Sequence, residues 1–221
     1  MQADPPFNTV VHTGSPFHYQ VNDNKKDMVD PAVIWTTAIL KAIKMRAPSV
    51  KRVAVTSSFA ATSNPKNPPL VYSEDIWNEM AMDEALTTAD AQAACGASKT
   101  FAKQASLGFV KTQSSNFTLT VLNPLMVYGP VRHPVTSLED LNTTSKRILN
   151  TMQGKRRHGP IGSPPHVDVR DLALAQALAV KMPEAASQRI FLSAAIATRK
   201  RRAALSAKPF QNLPNRYRMI W

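Results

Sequence analysis

Val53-Ala54-Val55-Thr56, followed at once by Ser57-Ser58, is a short run rich in β-branched residues. Such a run reads as a strand, and its flanks make it one strand of a parallel sheet. Upstream, Asp30-Pro31 opens a predicted helix, with Asp30 placed to cap it and Pro31 at the first helical position, where a missing N–H costs nothing. Val33, Leu40 and Ile43 supply its apolar face, and Pro48 stops it. Further upstream, Thr9-Val10-Val11-His12 reads as a buried strand that ends in a turn at Gly14.

Downstream, a connection containing Pro65, Pro68 and Pro69 leads through Trp77 to a helix predicted around Ala91 to Lys111. Phe117 to Leu122 is the next strand. Ser137 to Asn150 has mixed helical character, and Asp168 to Val180 reads as a strong helix. In that helix Asp168 and Asp171 sit at capping-box spacing, and Leu174 and Leu178 lie one turn apart. Ile190 to Ser193 closes the regular part. Strands alternating with amphipathic helices imply an α/β fold, a parallel sheet with helices on both faces.

A chain of 221 residues with 43% apolar content can bury one sizeable core. Its single cysteine excludes an internal disulfide framework and fits a reducing compartment. No charged leader with an apolar core opens the sequence, and no apolar run approaches the roughly 20 residues a membrane span needs. The expectation is a cytoplasmic protein. The net charge of +12 is mostly a tail: from Arg199 onward there are seven basic residues and no acidic ones. Arg199-Lys200-Arg201-Arg202 is a possible polyanion patch, but no apolar periodicity accompanies it, so a solvated terminus explains it.

The stretch Cys95-Gly96-Ala97-Ser98-Lys99-Thr100-Phe101-Ala102-Lys103, with Val10 to Phe17, Val53 to Ala61 and Val167-Asp168-Val169-Arg170-Asp171, resembles the extended short-chain dehydrogenases/reductases. It is most similar to the fungal NADPH-dependent ketone and aldehyde reductases, grouped with the NAD-dependent epimerase/dehydratase family and including methylglyoxal and dihydroflavonol reductases. The resemblance implies NADP as cofactor, a small carbonyl substrate, and a place in fungal secondary metabolism. It also implies that Met1 stands just before the fourth strand of a Rossmann-like sheet. About 60 to 70 residues, two βαβ units, would then be lacking in front. Residues 1–193 are expected to form the truncated NAD(P)-binding domain, with a small substrate-side region towards its end, and 194–221 a basic tail.

In that family a serine holds the substrate carbonyl, a tyrosine donates the proton, and a lysine one helical turn later lowers the tyrosine's pKa and binds the ribose. The resemblance places Lys99 at the lysine and Ser58 at the serine. Cys95 stands at the tyrosine position, where its sulfur, one bond from Cβ, has less reach than a phenol oxygen. Val127 and Pro124, in Asn123 to Pro130, fall where the family's backbone lies against the nicotinamide. Thr144 falls at a hydroxyl position near the cofactor, and Ser15 in the turn beside its adenosine half, though helix capping would explain Ser15 equally well.

Three departures accompany the resemblance. The seven glycines include no G-x-G-x-x-G, so the phosphate cradle of a dinucleotide fold is missing. Trp35 occupies a position where relatives carry glycine and is expected to overpack a helix contact. After Ser193 the match ends. The five histidines show no zinc-binding spacing, and Ser58 lies in no G-x-S-x-G elbow, which sets aside metal hydrolases and serine hydrolases. Two functions remain open: an NADPH-dependent carbonyl reductase, or a non-catalytic binding domain on the same scaffold.

Overall fold

A computed structural model describes residues 6–15, 21–64, 66–153 and 165–194. The basic tail therefore lies outside the described residues. Two units divide the chain, residues 1–124 with 173–192, and residues 125–172 with 193–221.

The first unit is built on four parallel strands in the order β1-β2-β3-β6, where β1 is Thr9–His12, β2 Arg52–Thr56, β3 Thr118–Pro124 and β6 Arg189–Leu192. Val10 lies opposite Val53, Val53 opposite Leu119, and Leu122 opposite Ile190. Strand side chains alternate between faces. Val53, Val55, Leu119 and Val121 therefore point to one side, where they bury Leu40 and Ile43 of α1 (Asp30–Arg46) and meet Leu107, Phe109 and Val110 of α3 (Ala91–Thr112). Ala54 and Leu122 point to the other, against Ala179 and Val180 of α5 (Val169–Lys181). Helices thus cover both faces, as the alternating pattern requires. A short helix, α2 (Met82–Thr87), precedes α3 and escaped the sequence reading.

Three local expectations need correction. The helix before β2 starts earlier than Asp30: a π-turn at Lys25–Val29 runs straight into α1, and the Asp30 N–H bonds back to the Lys25 carbonyl. Proline inside a helix lacks the N–H and its ring clashes with the carbonyl four residues back; the wider π-turn accommodates Pro31. Capping falls to Asp23, whose carboxylate accepts the Lys25 and Lys26 N–H groups at 2.9 and 3.1 Å, while Asp30 pairs with Lys25. Second, Trp35 overpacks nothing, because it faces outward and is 52% exposed. Third, β1 is an edge strand among the described residues, and its Val11 is exposed. On α5, Leu172 and Ala179 are buried, while Leu174 and Leu178 are exposed.

The second unit holds two parallel strands, β4 (Met126–Tyr128) and β5 (His166–Asp168), with α4 (Thr143–Met152) packed against β4. Asp168 ends β5 and starts α5: its Oδ1 accepts the Arg170 N–H at 2.8 Å, and the Arg170 guanidinium holds the carboxyl down at about 2. The capping role expected of Asp168 is thus visible.

Candidate functional site

In a parallel sheet all strands finish at one edge, and that edge is where open α/β sheets bind ligands. Here β1 finishes at His12, β2 at Thr56 with Ser57 and Ser58 next in line, and β3 at Asn123 and Pro124. Helix α3 brings Cys95, Lys99 and Lys103 to one face at spacings of four. Gly96 lets that face come close. A Cβ there would stand 3.2 Å from Asn78 Nδ2 and 3.5 Å from the Ala60 carbonyl, in the turn Phe59–Ala61 that follows the two serines.

Lys99 reaches β1's loop, where its Nζ donates to Ser15 Oγ. His12, Ser15, Thr56, Ser57, Lys99 and Lys103 line a cleft of about 10 Å³, one water's worth of room. Burial pulls the Lys99 ammonium below its usual range, an effect that a charge on Cys95 would oppose. Cys95 itself is 7% exposed and packs with Met28 and Ala94. Burial raises its thiol, and the nearby Lys99 charge offsets only part of the rise.

Three polar side chains at the strand ends have buried atoms without a hydrogen-bond partner among the described residues: His12 at Nε2, Ser57 at Oγ, and Asn123 at both amide atoms. Burial also lowers the His12 pKa, which favours the neutral imidazole. The sequence reading named none of the three as site residues. Their signal was position, a polar residue at the carboxyl end of each successive strand.

The predicted residues divide accordingly. Lys99 and Ser15 meet, and Cys95 shares Lys99's helix face. Ser58 is not the hydroxyl that Lys99 donates to. Its Oγ accepts the Ala60 N–H at 3.1 Å as cap of the Phe59–Ala61 turn, and the neighbouring Ser57, on the opposite side of the chain, lines the cleft. Pro124 ends β3. In the second unit, Val127 pairs with Val167, and Thr144 Oγ1 donates to Asn142 Oδ1 at 3.0 Å in the first turn of α4.

A parallel sheet covered by helices, with a lysine-bearing helix at its carboxyl edge, is a Rossmann-like arrangement, and the solved structures it resembles include reductases. Over about 87% of its residues it is similar in sequence to proteins named as reductases. It is 42% identical over 195 residues to a ketoreductase, azaE, of Aspergillus niger, and 35% identical over 199 residues to a putative NADPH-dependent methylglyoxal reductase of Candida albicans. Each alignment covers 87% of this chain and 57% of the relative. Yeast methylglyoxal/isovaleraldehyde reductase Gre2, solved with NADPH, superposes with a TM-score of 0.79 at 30% identity, over 92% of this chain and 61% of that one. No family model matches the sequence. The chain spans a little over half the length of the curated relatives it matches.

The residues present suit one end of a nicotinamide dinucleotide. Lys99's ammonium and the Ser57 hydroxyl without a partner, both lining the cleft, offer the kind of donors and acceptor that a nicotinamide ribose requires. The pyrophosphate end needs glycine-rich backbone leading into a helix N-terminus. Among the described residues no strand-to-helix turn has that sequence.

Proposed function

We propose that this chain carries the catalytic helix of an NADPH-dependent reductase of a small ketone or aldehyde, working in the cytoplasm within fungal secondary metabolism. The observation that carries this reading is the Lys99–Ser15 pair at the carboxyl edge, beside the unpaired Ser57 hydroxyl. Bound NADPH would supply the hydride. Lys99 would hold the ribose and a positive charge beside the acid, and Ser57 or Ser58 would orient the carbonyl oxygen. Val127, Pro124 and Thr144 are the proposed nicotinamide-side contacts, and Ser15 the proposed anchor for Lys99.

Cys95 favours a second reading, a non-catalytic domain on the same scaffold. A general acid must come within hydrogen-bond reach of the oxygen it protonates, and this thiol is packed among Met28 and Ala94. Its loss as an acid would cost about 10²- to 10⁴-fold in rate.

The test is NADPH oxidation against a panel of ketones and aldehydes, using the chain as given, Cys95→Tyr, and Cys95→Tyr extended by an upstream cradle segment. Carbonyl-dependent turnover that Lys99→Met abolishes is the expected result for the reductase. Folded but inactive protein in all three forms would leave the binding domain.

A further inference from the structure

Between Pro31 and Ser73, and again between Ala91 and Leu138, the sequence contains no Asp or Glu. The fold sets these stretches side by side, because α1 packs along α3. Both helices run back from the carboxyl edge, so their C-terminal ends meet at the amino edge of the sheet, opposite the cleft around Lys99. There Lys41, Lys44 and Arg46 of α1 and Lys111 of α3 are exposed, and none of the ion pairs among the described residues uses them. Lys44 donates instead to the Gln113 carbonyl at the end of α3.

Among these cations lies a groove of about 340 Å³ between the two helix ends, with Met45 and Phe109 as its apolar floor and Lys41 and Lys44 on its rim. Met45 is 72% exposed, so it adds little to the core of its own helix. An apolar floor ringed by one sign of charge matches a ligand with an apolar anchor and the opposite charge around it.

We propose that this groove is a docking site for an acidic amphipathic segment of another protein, one apolar side chain resting on Met45 and Phe109 and carboxylates facing Lys41 and Lys44. A second copy of the chain is the wrong complement, since a two-fold contact would set the same unpaired cations against one another with no acid on either helix beyond Asp30. A bilayer or a duplex would meet the cations, yet neither uses a concave apolar floor.

The test is fluorescence anisotropy of a labelled, Glu-rich peptide with Leu at helical spacing, titrated with the full chain. Competing arms are phosphatidylserine vesicles, duplex DNA and sedimentation of the chain alone. Saturable peptide binding that weakens about tenfold or more in Lys41→Glu/Lys44→Glu and in Met45→Asp is expected. Binding should survive replacement of Arg199-Lys200-Arg201-Arg202 by serines and should weaken with salt. All substituted groove positions are exposed, so an unchanged thermal midpoint identifies a surface effect.

Binding that depends on the tail and ignores the groove substitutions would overturn the proposal. So would absence of peptide binding, preference for vesicles or DNA, or a dimer that Met45→Asp dissociates.

Discussion

Lys103 Nζ sits 4.0 Å from the centre of the Trp77 ring, inside the protein, and gives a hydrogen bond to the Ala61 carbonyl at 3.1 Å. Arg189 approaches the same ring at 4.9 Å and pairs with Asp75. One indole thus lies against two cations, and it ties the irregular stretch after β2 to α3 on one side and to β6 on the other. Cation–π attraction of this kind is worth about 1–2 kcal/mol when desolvated. It offsets part of the cost of burying an ammonium that is 1% exposed.

That cost gives the first prediction. Burial, helped by the Arg189 charge, lowers the Lys103 pKa from 10.5 to about 8. The folded state therefore binds fewer protons than the unfolded state between those values, and stability rises with pH across that window. The penalty, on the order of 3 kcal/mol, is fully present below pH 8 and relieved towards 10.5. Urea unfolding at several pH values should show this upward slope in the parent chain. In Lys103→Met the slope should flatten and stability near pH 7 should not fall; a variant that keeps the slope would refute the assignment.

Cys95 yields a second. A thiol that is buried and raised in pKa is present as the unreactive protonated form at neutral pH. Native protein should label with iodoacetamide at least about a hundredfold more slowly than protein unfolded in guanidinium, by mass spectrometry. Lys99→Met should slow it further, because it removes the one charge that opposes the rise. Rapid native labelling would instead mark Cys95 as an accessible thiolate.

How far the sequence revealed this arrangement depended on the kind of residue. Strands such as Val53–Thr56 and the long helix from Ala91 were legible because uninterrupted β-branched runs and helical periodicity are local signals. The four-residue spacing of Cys95 and Lys99 was legible for the same reason. The π-turn that runs into α1 was not, because Asp30-Pro31 has the pattern of a free helix opening. Trp35 was misjudged because exposure is a tertiary property. Choosing between Ser57 and Ser58 required knowing which hydroxyl the next turn consumes. The contact of Trp77 with Arg189 joins residues more than a hundred positions apart, and no local pattern announces it.

A third prediction concerns the second unit. Gly129 has φ +146°, a conformation that side chains rarely adopt, and a Cβ there would lie 2.5 Å from Val169 Cγ1. Gly129→Ala should therefore combine backbone strain with a clash, at about 2–4 kcal/mol. The damage should be local. Hydrogen exchange should accelerate in β4 and β5, with the β1-β2-β3-β6 sheet protected as before.

The adjacent serines permit a contrast within one experiment. Ser58 Oγ caps the Phe59–Ala61 turn, so Ser58→Ala removes a hydrogen bond and should destabilise the fold by about 1 kcal/mol. Ser57 Oγ is buried without a partner, and removing a hydroxyl whose desolvation nothing repays should leave stability unchanged or slightly higher. Activity should rank the other way: wherever carbonyl reduction is measurable, Ser57→Ala should lose about 10²-fold or more in kcat/KM, as expected for an oriented hydrogen-bond donor. Ser58→Ala should lose little once its lower stability is allowed for. Thermal midpoints and kcat/KM of the two variants, measured together, separate the capping hydroxyl from the one free to meet a substrate. If Ser58→Ala abolishes turnover at unchanged midpoint, the roles of the pair are reversed.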